Sequence, residues 1–131
     1  MTEKPFAVAC IPAFNEERTI GAVVVRALGQ VDRVVVCDDG SVDLTNEIAG
    51  RLGAVVVRHG SNMGYGASLR TLFREALEIG ADVAVTLDGD GQHDPGEIPR
   101  LVGRLEKGDV DIVIGSRFLE GGGSMAPGWR K

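Results

Sequence analysis

Val83-Ala84-Val85-Thr86-Leu87-Asp88-Gly89-Asp90-Gly91-Gln92-His93-Asp94-Pro95 is the stretch on which the reading of this chain turns. Its first half is apolar and β-branched, the pattern of a buried strand. Gly89 and Gly91 break the run, and the break carries Asp88, Asp90, Gln92 and His93. If the backbone stays extended through Gly89, the two aspartates point to the same side. Two converging carboxylates, with an amide oxygen two positions on, would offer hard oxygen ligands to Mg²⁺ or Mn²⁺. An ordinary acidic turn is the other reading, because Asp and Gly are common turn residues. The rest of the chain decides between them.

Working outward, Asp94-Pro95-Gly96-Glu97 is the sharpest boundary signal, with Asp at the N-cap, Pro at the first helical position and Glu at the third. Ile98, Leu101, Val102 and Leu105 then carry a helix that Gly108 ends. A fifth strand is expected over Asp111–Gly115, followed by a glycine-rich tail from Ser116 to Lys131. Upstream, Phe6–Ile11 reads as the first strand, closed by Pro12. Asn15 looks like an N-cap for a first helix over about 16–29, with Glu16 and Glu17 in its first turn. Arg33–Cys37 is the second strand and ends at Asp38-Asp39-Gly40-Ser41. A second helix, capped by Asp43 and stopped by Gly53, is expected to bury Leu44, Ile48 and Leu52. Ala54–Val57 is the third strand, and His59-Gly60-Ser61-Asn62-Met63-Gly64-Tyr65-Gly66 leads into a third helix. That helix is expected to bury Leu69, Leu72, Phe73, Ala76 and Leu77, and to stop at Gly80.

The chain of 131 residues is long enough for one domain with a real core, spanning 1–131. A hydrophobic share of 44% and a charged share of 25% are ordinary soluble values. The net charge of −5 argues against nucleic-acid binding and suits a protein that recruits a divalent cation before an anionic substrate. The two cysteines, Cys10 and Cys37, fall inside strands and read as small core residues in a reduced, cytoplasmic setting. Neither a signal peptide nor an apolar run of membrane-spanning length is visible. Any membrane contact is therefore expected to be peripheral, at the cytoplasmic face, or made by sequence absent here.

Five strands alternating with four helices predict an α/β fold, a Rossmann-like parallel sheet wound by right-handed crossovers. Ligands in such sheets bind beyond the carboxyl ends of the strands, at the switch point of strand order. Pro12–Glu16, Asp38–Ser41, His59–Tyr65, Asp88–Gln92 and Ser116–Arg117 all fall on that edge, which marks it as the active site. Asp38 and Asp39 suit hydrogen bonds to a ribose or a base edge, although a turn capping the second helix would explain Ser41 or Asp43 as well. Glu16 is explained equally by dipole compensation. Asn62–Gly66 resembles a phosphate cradle, but with neither the G-x-G-x-x-G nor the P-loop spacing. Arg117 follows the fifth strand and points towards the acidic pair, or is simply solvated. His93 is explained locally by Asp94 and Pro95.

Two other plans fit in part. A phospho-acceptor receiver domain would use Asp38, Asp39, Asp88, Ser116 and Lys131, but begins with its acidic-pair strand, whereas a strand–helix unit precedes it here. Haloacid dehalogenase phosphatases use a D-x-D-G motif, which normally opens the chain. The full series fits better elsewhere. Pro12-Ala13-Phe14-Asn15-Glu16, Asp38-Asp39-Gly40-Ser41, Asn62-x-Gly64-x-Gly66, Asp88-Gly89-Asp90-Gly91-Gln92-His93-x-Pro95 and Gly115-Ser116-Arg117-Phe118 occur in order. Together they resemble the inverting family-2 glycosyltransferases of GT-A fold. The likeness is greatest to the branch containing dolichyl-phosphate mannose synthase and polyprenyl-phosphate glycosyltransferases.

That resemblance implies a metal-dependent transfer of a hexose from a nucleoside diphosphate sugar, GDP- or UDP-linked, to a polyprenyl phosphate. A nucleotide-sugar-binding remnant without turnover and a sugar-hydroxyl acceptor are the alternatives. It implies a nucleotide site of Pro12, Ala13, Phe14, Glu16, Asp38, Asp39, Gly64, Asp88 and Gly89, with Glu16 on the ribose and Asp39 near the base. Asp88, Asp90 and Gln92 would ligate Mg²⁺ or Mn²⁺. Asp90 and Arg117 would be catalytic, and Arg117 and Arg130 would face phosphate oxygens. Relatives continue through further strands and acceptor-side helices, so the chain looks shortened at its C-terminus, and turnover is expected to need that missing half.

Overall fold

The computed structural model describes residues 5–91, 94–106 and 113–114. Five parallel strands, β1 (Ala7–Ala13), β2 (Arg33–Asp38), β3 (Val55–Arg58), β4 (Val83–Thr86) and β5 (Val113–Ile114), pair in the order β3-β2-β1-β4-β5. Helices α1 (Ile20–Leu28), α2 (Thr45–Arg51), α3 (Tyr65–Ile79) and α4 (Ile98–Glu106) separate them. The chain steps outward from β1 to β3, then returns past β1 to lay down β4 and β5. The strand order therefore reverses between β1 and β4. The α/β fold expected from the alternation is present, with five strands and four helices among the described residues.

Side-chain alternation along the strands builds two cores. On one face Ala7, Ala9, Ile11, Val34, Val36 and Val85 meet Ile20, Val23, Val24 and Ala27 of α1, with Ala49 and Ile98 beside them. On the other, Val8, Cys10, Val35 and Cys37 meet Leu72 and Ala76 of α3. Both cysteines are free and buried, as expected, and burial pushes the Cys10 thiol up to about 12. Strands buried on both faces read as continuous apolar runs, which is why the sequence marked them so clearly.

Several boundaries move. β1 does not end before Pro12 but runs through it to Ala13, paired with Asp38. The β1–β4 ladder has already finished at Cys10–Thr86, so the missing proline N–H falls beyond that ladder's last pair. α1 starts at Ile20, not near 16, and Asn15 is no N-cap: it sits at φ +53°. α2 buries Thr45 and Ala49, while Leu44 and Leu52 are exposed. Leu77, expected in the core, is 75% exposed on the flank of α3. Asp94 accepts from the Gly96 N–H as predicted, but the first turn is a 3-10 turn over Pro95–Glu97 before α4 begins. The outer residues of the expected fifth strand lie outside the described residues.

Candidate active site

The carboxyl end of β1 leads into a loop that is stitched to the segment after β2. Asn15 N–H donates to Ser41 Oγ (2.8 Å), and Asn15 Oδ1 accepts from Val42 N–H (2.9 Å). Glu16 N–H donates to Thr45 Oγ1 at 2.8 Å, while Leu44 N–H donates to Glu17 Oε1 at 3.1 Å. The polar residues that look locally like a helix cap are thus taken up by partners 26 to 29 positions away. This leaves the Glu16 side chain to the cleft. Asp43, expected to cap α2, accepts from both the N–H and the hydroxyl of Thr45 at that helix's start.

The two aspartates after β2 take different places. Asp38 is completely buried, accepts from Ser41 N–H through Oδ1 (3.0 Å), and has Arg58 Nε 3.5 Å from Oδ2. It lies beneath the turn and does not line the cleft, although the resemblance implied that it would meet a nucleoside. Asp39 reaches across to the loop after β3. Its carboxylate accepts from Met63 N–H (2.8 Å), Gly64 N–H (2.9 Å) and His59 Nδ1–H (2.7 Å). Burial alone would raise the Asp39 carboxyl, but hydrogen bonds from His59, Met63 and Gly64 hold it below the usual carboxylate range. His59 Nε2 meets the Thr71 hydroxyl at 2.8 Å, tying the pair to α3. Gly40 lets the two loops touch: at φ +82°, a Cβ there would sit 2.6 Å from the Ser61 carbonyl carbon.

Beyond β4 the Asp88–Asp90 turn folds back over the end of β1. A Cβ on Gly89 would meet Ala13 Cβ at 3.3 Å and Pro12 O at 3.4 Å, and the Thr19 hydroxyl donates to Gly89 O at 2.6 Å. Between this turn and the β3–α3 loop lies an open cleft of about 270 Å³ at the β1/β4 switch point. Pro12, Ala13, Phe14, Glu16, Asp39, Gly64, Asp88, Gly89 and Asp90 line it, joined by Asn62, Tyr65 and Ser68. Burial raises the Glu16 carboxyl, and the charges of Asp90, Asp88 and Asp43 raise it further. Burial and then the Asp88 charge raise the Tyr65 phenol.

Four carboxylates and no basic side chain stand among the described residues of this lining. Such a wall repels a diphosphate unless a cation intervenes. Among the described residues no group of three acidic, histidine or cysteine side chains converges to hold a metal by itself. Magnesium sites commonly use one or two carboxylates plus substrate phosphate oxygens, so Asp88 and Asp90 fit a metal that arrives with its nucleotide. Gln92, Arg117 and Arg130, together with His93 and Ser116, lie outside the described residues.

Ser68 and Thr19 were not singled out as site residues in the sequence, and His59 and Tyr65 only bounded a polar cluster on the active-site edge, with no role of their own. Ser68 had a readable signal, a hydroxyl in the buried stripe Ser68–Leu72–Ala76 of α3. Thr19 had none, and nothing local gave His59 its partner, since Gly89 and Asp39 are remote in the chain.

Comparison with known proteins follows the same lines. The sequence matches the family described as Glycosyl transferase family 2 over residues 8–131. It is 34% identical over 126 residues to UDP-N-acetylglucosamine–dolichyl-phosphate N-acetylglucosaminyltransferase of Methanococcus voltae, covering 82% of this chain and 50% of that one. It is 35% identical over 130 residues to polyprenol monophosphomannose synthase of Mycolicibacterium smegmatis, covering 92% and 48%. Glucosyl-3-phosphoglycerate synthase from Mycobacterium tuberculosis, solved with Mn²⁺, uridine diphosphate and glucosyl-3-phosphoglycerate, is similar at a TM-score of 0.63 and 30% identity, over 77% of this chain and 39% of that chain. The chain spans about half the length of the curated relatives it matches.

Proposed function

Since the chain belongs to glycosyl transferase family 2, we propose that it binds the donor of a metal-dependent inverting transfer of a hexose from a GDP- or UDP-linked sugar to a polyprenyl or dolichyl phosphate. The observation that carries this reading is the acidic cleft at the strand-order switch, closed on one side by Asp88-Gly89-Asp90 and on the other by Gly64. Pro12, Ala13 and Phe14 form the floor and rim against which a nucleoside lies. Glu16 accepts from ribose hydroxyls, and Asp39 presents its carboxylate on the base side while holding the β3–α3 loop. Asp88 and Asp90 hold Mg²⁺ or Mn²⁺, with Gln92 as a further oxygen ligand. When bound, the metal supplies positive charge against the negative charge that grows on the leaving diphosphate. Arg117 and Arg130 are assigned to phosphate oxygens of donor or acceptor.

A phosphate-monoester acceptor is already anionic at neutral pH, so it attacks the anomeric carbon from the opposite face without a general base. A sugar hydroxyl would need a positioned carboxylate. The acceptor would bring the protein to the cytoplasmic face of a membrane. Among the described residues no helix is long and apolar enough to cross one.

The test is calorimetric titration with UDP, GDP, UDP-glucose and GDP-mannose, in Mn²⁺ and in chelator. Nucleotide binding that tightens in Mn²⁺ is expected, and absence of any nucleotide binding overturns the reading. Release of nucleoside diphosphate on adding polyprenyl phosphate then distinguishes transfer from binding alone.

A further inference from the structure

Thr19 stands at the N-cap of α1, where a threonine hydroxyl ordinarily accepts from a free N–H of the first helical turn. Here it makes no such bond. Its hydroxyl is directed instead at Gly89, 70 residues away, donating to the carbonyl oxygen at 2.6 Å. That oxygen belongs to the peptide unit joining Gly89 to Asp90. A planar peptide held by its oxygen has its orientation fixed, and with it the direction in which Asp90 leaves the turn. The same residue abuts the far side of the turn, where a Cβ on Gly91 would meet Thr19 Cβ and Cγ2 at 4.0 Å. Its own N–H donates to Glu16 O at 3.0 Å. Thr19 therefore links two walls of the cleft: the backbone that presents Glu16 and the backbone that carries Asp88 and Asp90.

We infer that Thr19 is a positioning residue for the metal-holding turn, setting the geometry of the Asp88 and Asp90 carboxylates through the Gly89 carbonyl. The inference rests on the proposed metal role of those aspartates. Asp88 and Asp90 alternate with two glycines, Gly89 and Gly91, and glycine restricts its backbone least of all residues. Without an external hold, the turn samples orientations in which the two carboxylates do not converge. The Thr19 hydroxyl supplies such a hold, from an element anchored in the core by Ile20, Val23 and Val24. Groups that orient metal ligands from behind commonly change metal affinity by an order of magnitude or more.

The experiment compares Thr19→Val, which keeps the shape and removes the hydroxyl, with Thr19→Ser, which keeps the hydroxyl. Thr19→Ala repeats the loss in a smaller side chain, should Val pack badly. Binding of Mn²⁺ in the presence of UDP or GDP is read from the paramagnetic resonance signal of free Mn²⁺. Metal-free nucleotide binding and thermal midpoint are read in parallel. The inference expects Val and Ala to weaken Mn²⁺ binding about tenfold or more, Ser to stay near wild type, and metal-free nucleotide affinity to change little. Unchanged Mn²⁺ affinity in both Val and Ala, or an equal loss in Ser, overturns the clamp while leaving the metal role of Asp88 and Asp90 intact. So does an equal loss of metal-free nucleotide binding, which would make Thr19 merely structural. Absence of nucleotide-dependent Mn²⁺ binding in the wild-type chain overturns the metal reading itself, and the clamp with it.

Discussion

Replacing Asp39 by alanine tests whether the cleft is built before it binds anything. Asp39 is 5% exposed, and its carboxylate receives three hydrogen bonds, from His59, Met63 and Gly64. A hydrogen bond to a charged acceptor contributes about 1.5–3 kcal/mol, and a buried donor left without a partner costs about 1–3 kcal/mol. Met63 is exposed, so its N–H can find water after the substitution, whereas the His59 side chain is only 10% exposed. The net loss expected is about 2–4 kcal/mol, or a fall in Tm on the order of 10 °C for a chain of this size. The pH dependence follows from the depressed Asp39 carboxyl. A lowered folded-state pKa contributes stability that is fully present above the unfolded value, about 3.9, and is lost as pH falls through the folded value. The gap between wild type and Asp39→Ala should therefore be widest near neutrality and narrow as the solution is taken below about pH 4. Urea unfolding followed at several pH values measures both. A variant within ~0.5 kcal/mol of wild type at pH 7 would refute the argument, and would mean that the loop holds its shape without this carboxylate.

Two further outcomes follow from the same cleft. Asp90→Asn should abolish the Mn²⁺-dependent part of nucleotide binding while the fold is kept, checked by titration in Mn²⁺ and in chelator with a urea melt on the same sample. Gly40→Ala should destabilise by about 2 kcal/mol or more, because φ is +82° and the new methyl would collide with the Ser61–Asn62 backbone; nucleotide affinity should fall with it, and thermal melts with and without UDP or GDP would show both.

The central strands β1, β2 and β4 were legible in the sequence because they are buried on both faces and carry mostly Val, Ile, Ala and Cys. Glycines at 53 and 80 punctuated the helices for the same local reason. Several inferences failed where a local pattern competes with a remote partner. Asn15, Glu16 and Glu17 read as a helix start, yet Ser41, Val42, Leu44 and Thr45 hold them as a loop. The apolar set Leu44, Ile48 and Leu52 looked like the inner face of α2, yet the helix turns Thr45 and Ala49 inward. Thr45 is needed there, since its hydroxyl meets both Glu16 N–H and Asp43. The cleft followed from strand order and from motifs at strand ends. The supporting roles of His59 and Thr19 were not legible, because nothing adjacent in sequence gives either residue its partner.

The placement of those supports separates the acidic residues by function. Asp38 and Asp39 end one strand side by side, but they face different tasks. Asp38 is sealed under the turn beside Arg58, and Asp39 is engaged by two backbone N–H groups and an imidazole. Their charges are compensated within the fold, so they brace the cleft whether or not a ligand is bound. Glu16, Asp88 and Asp90 line one wall of the cleft. Burial and then the charges of the two aspartates raise the Glu16 carboxyl, the mark of like charges crowded at one wall. Bringing an anionic diphosphate to that wall adds to the repulsion, whereas bringing it together with a divalent cation relieves it. On the metal reading, this crowding of like charge favours a nucleotide that arrives with its cation, between walls held by α1 and the β3–α3 loop.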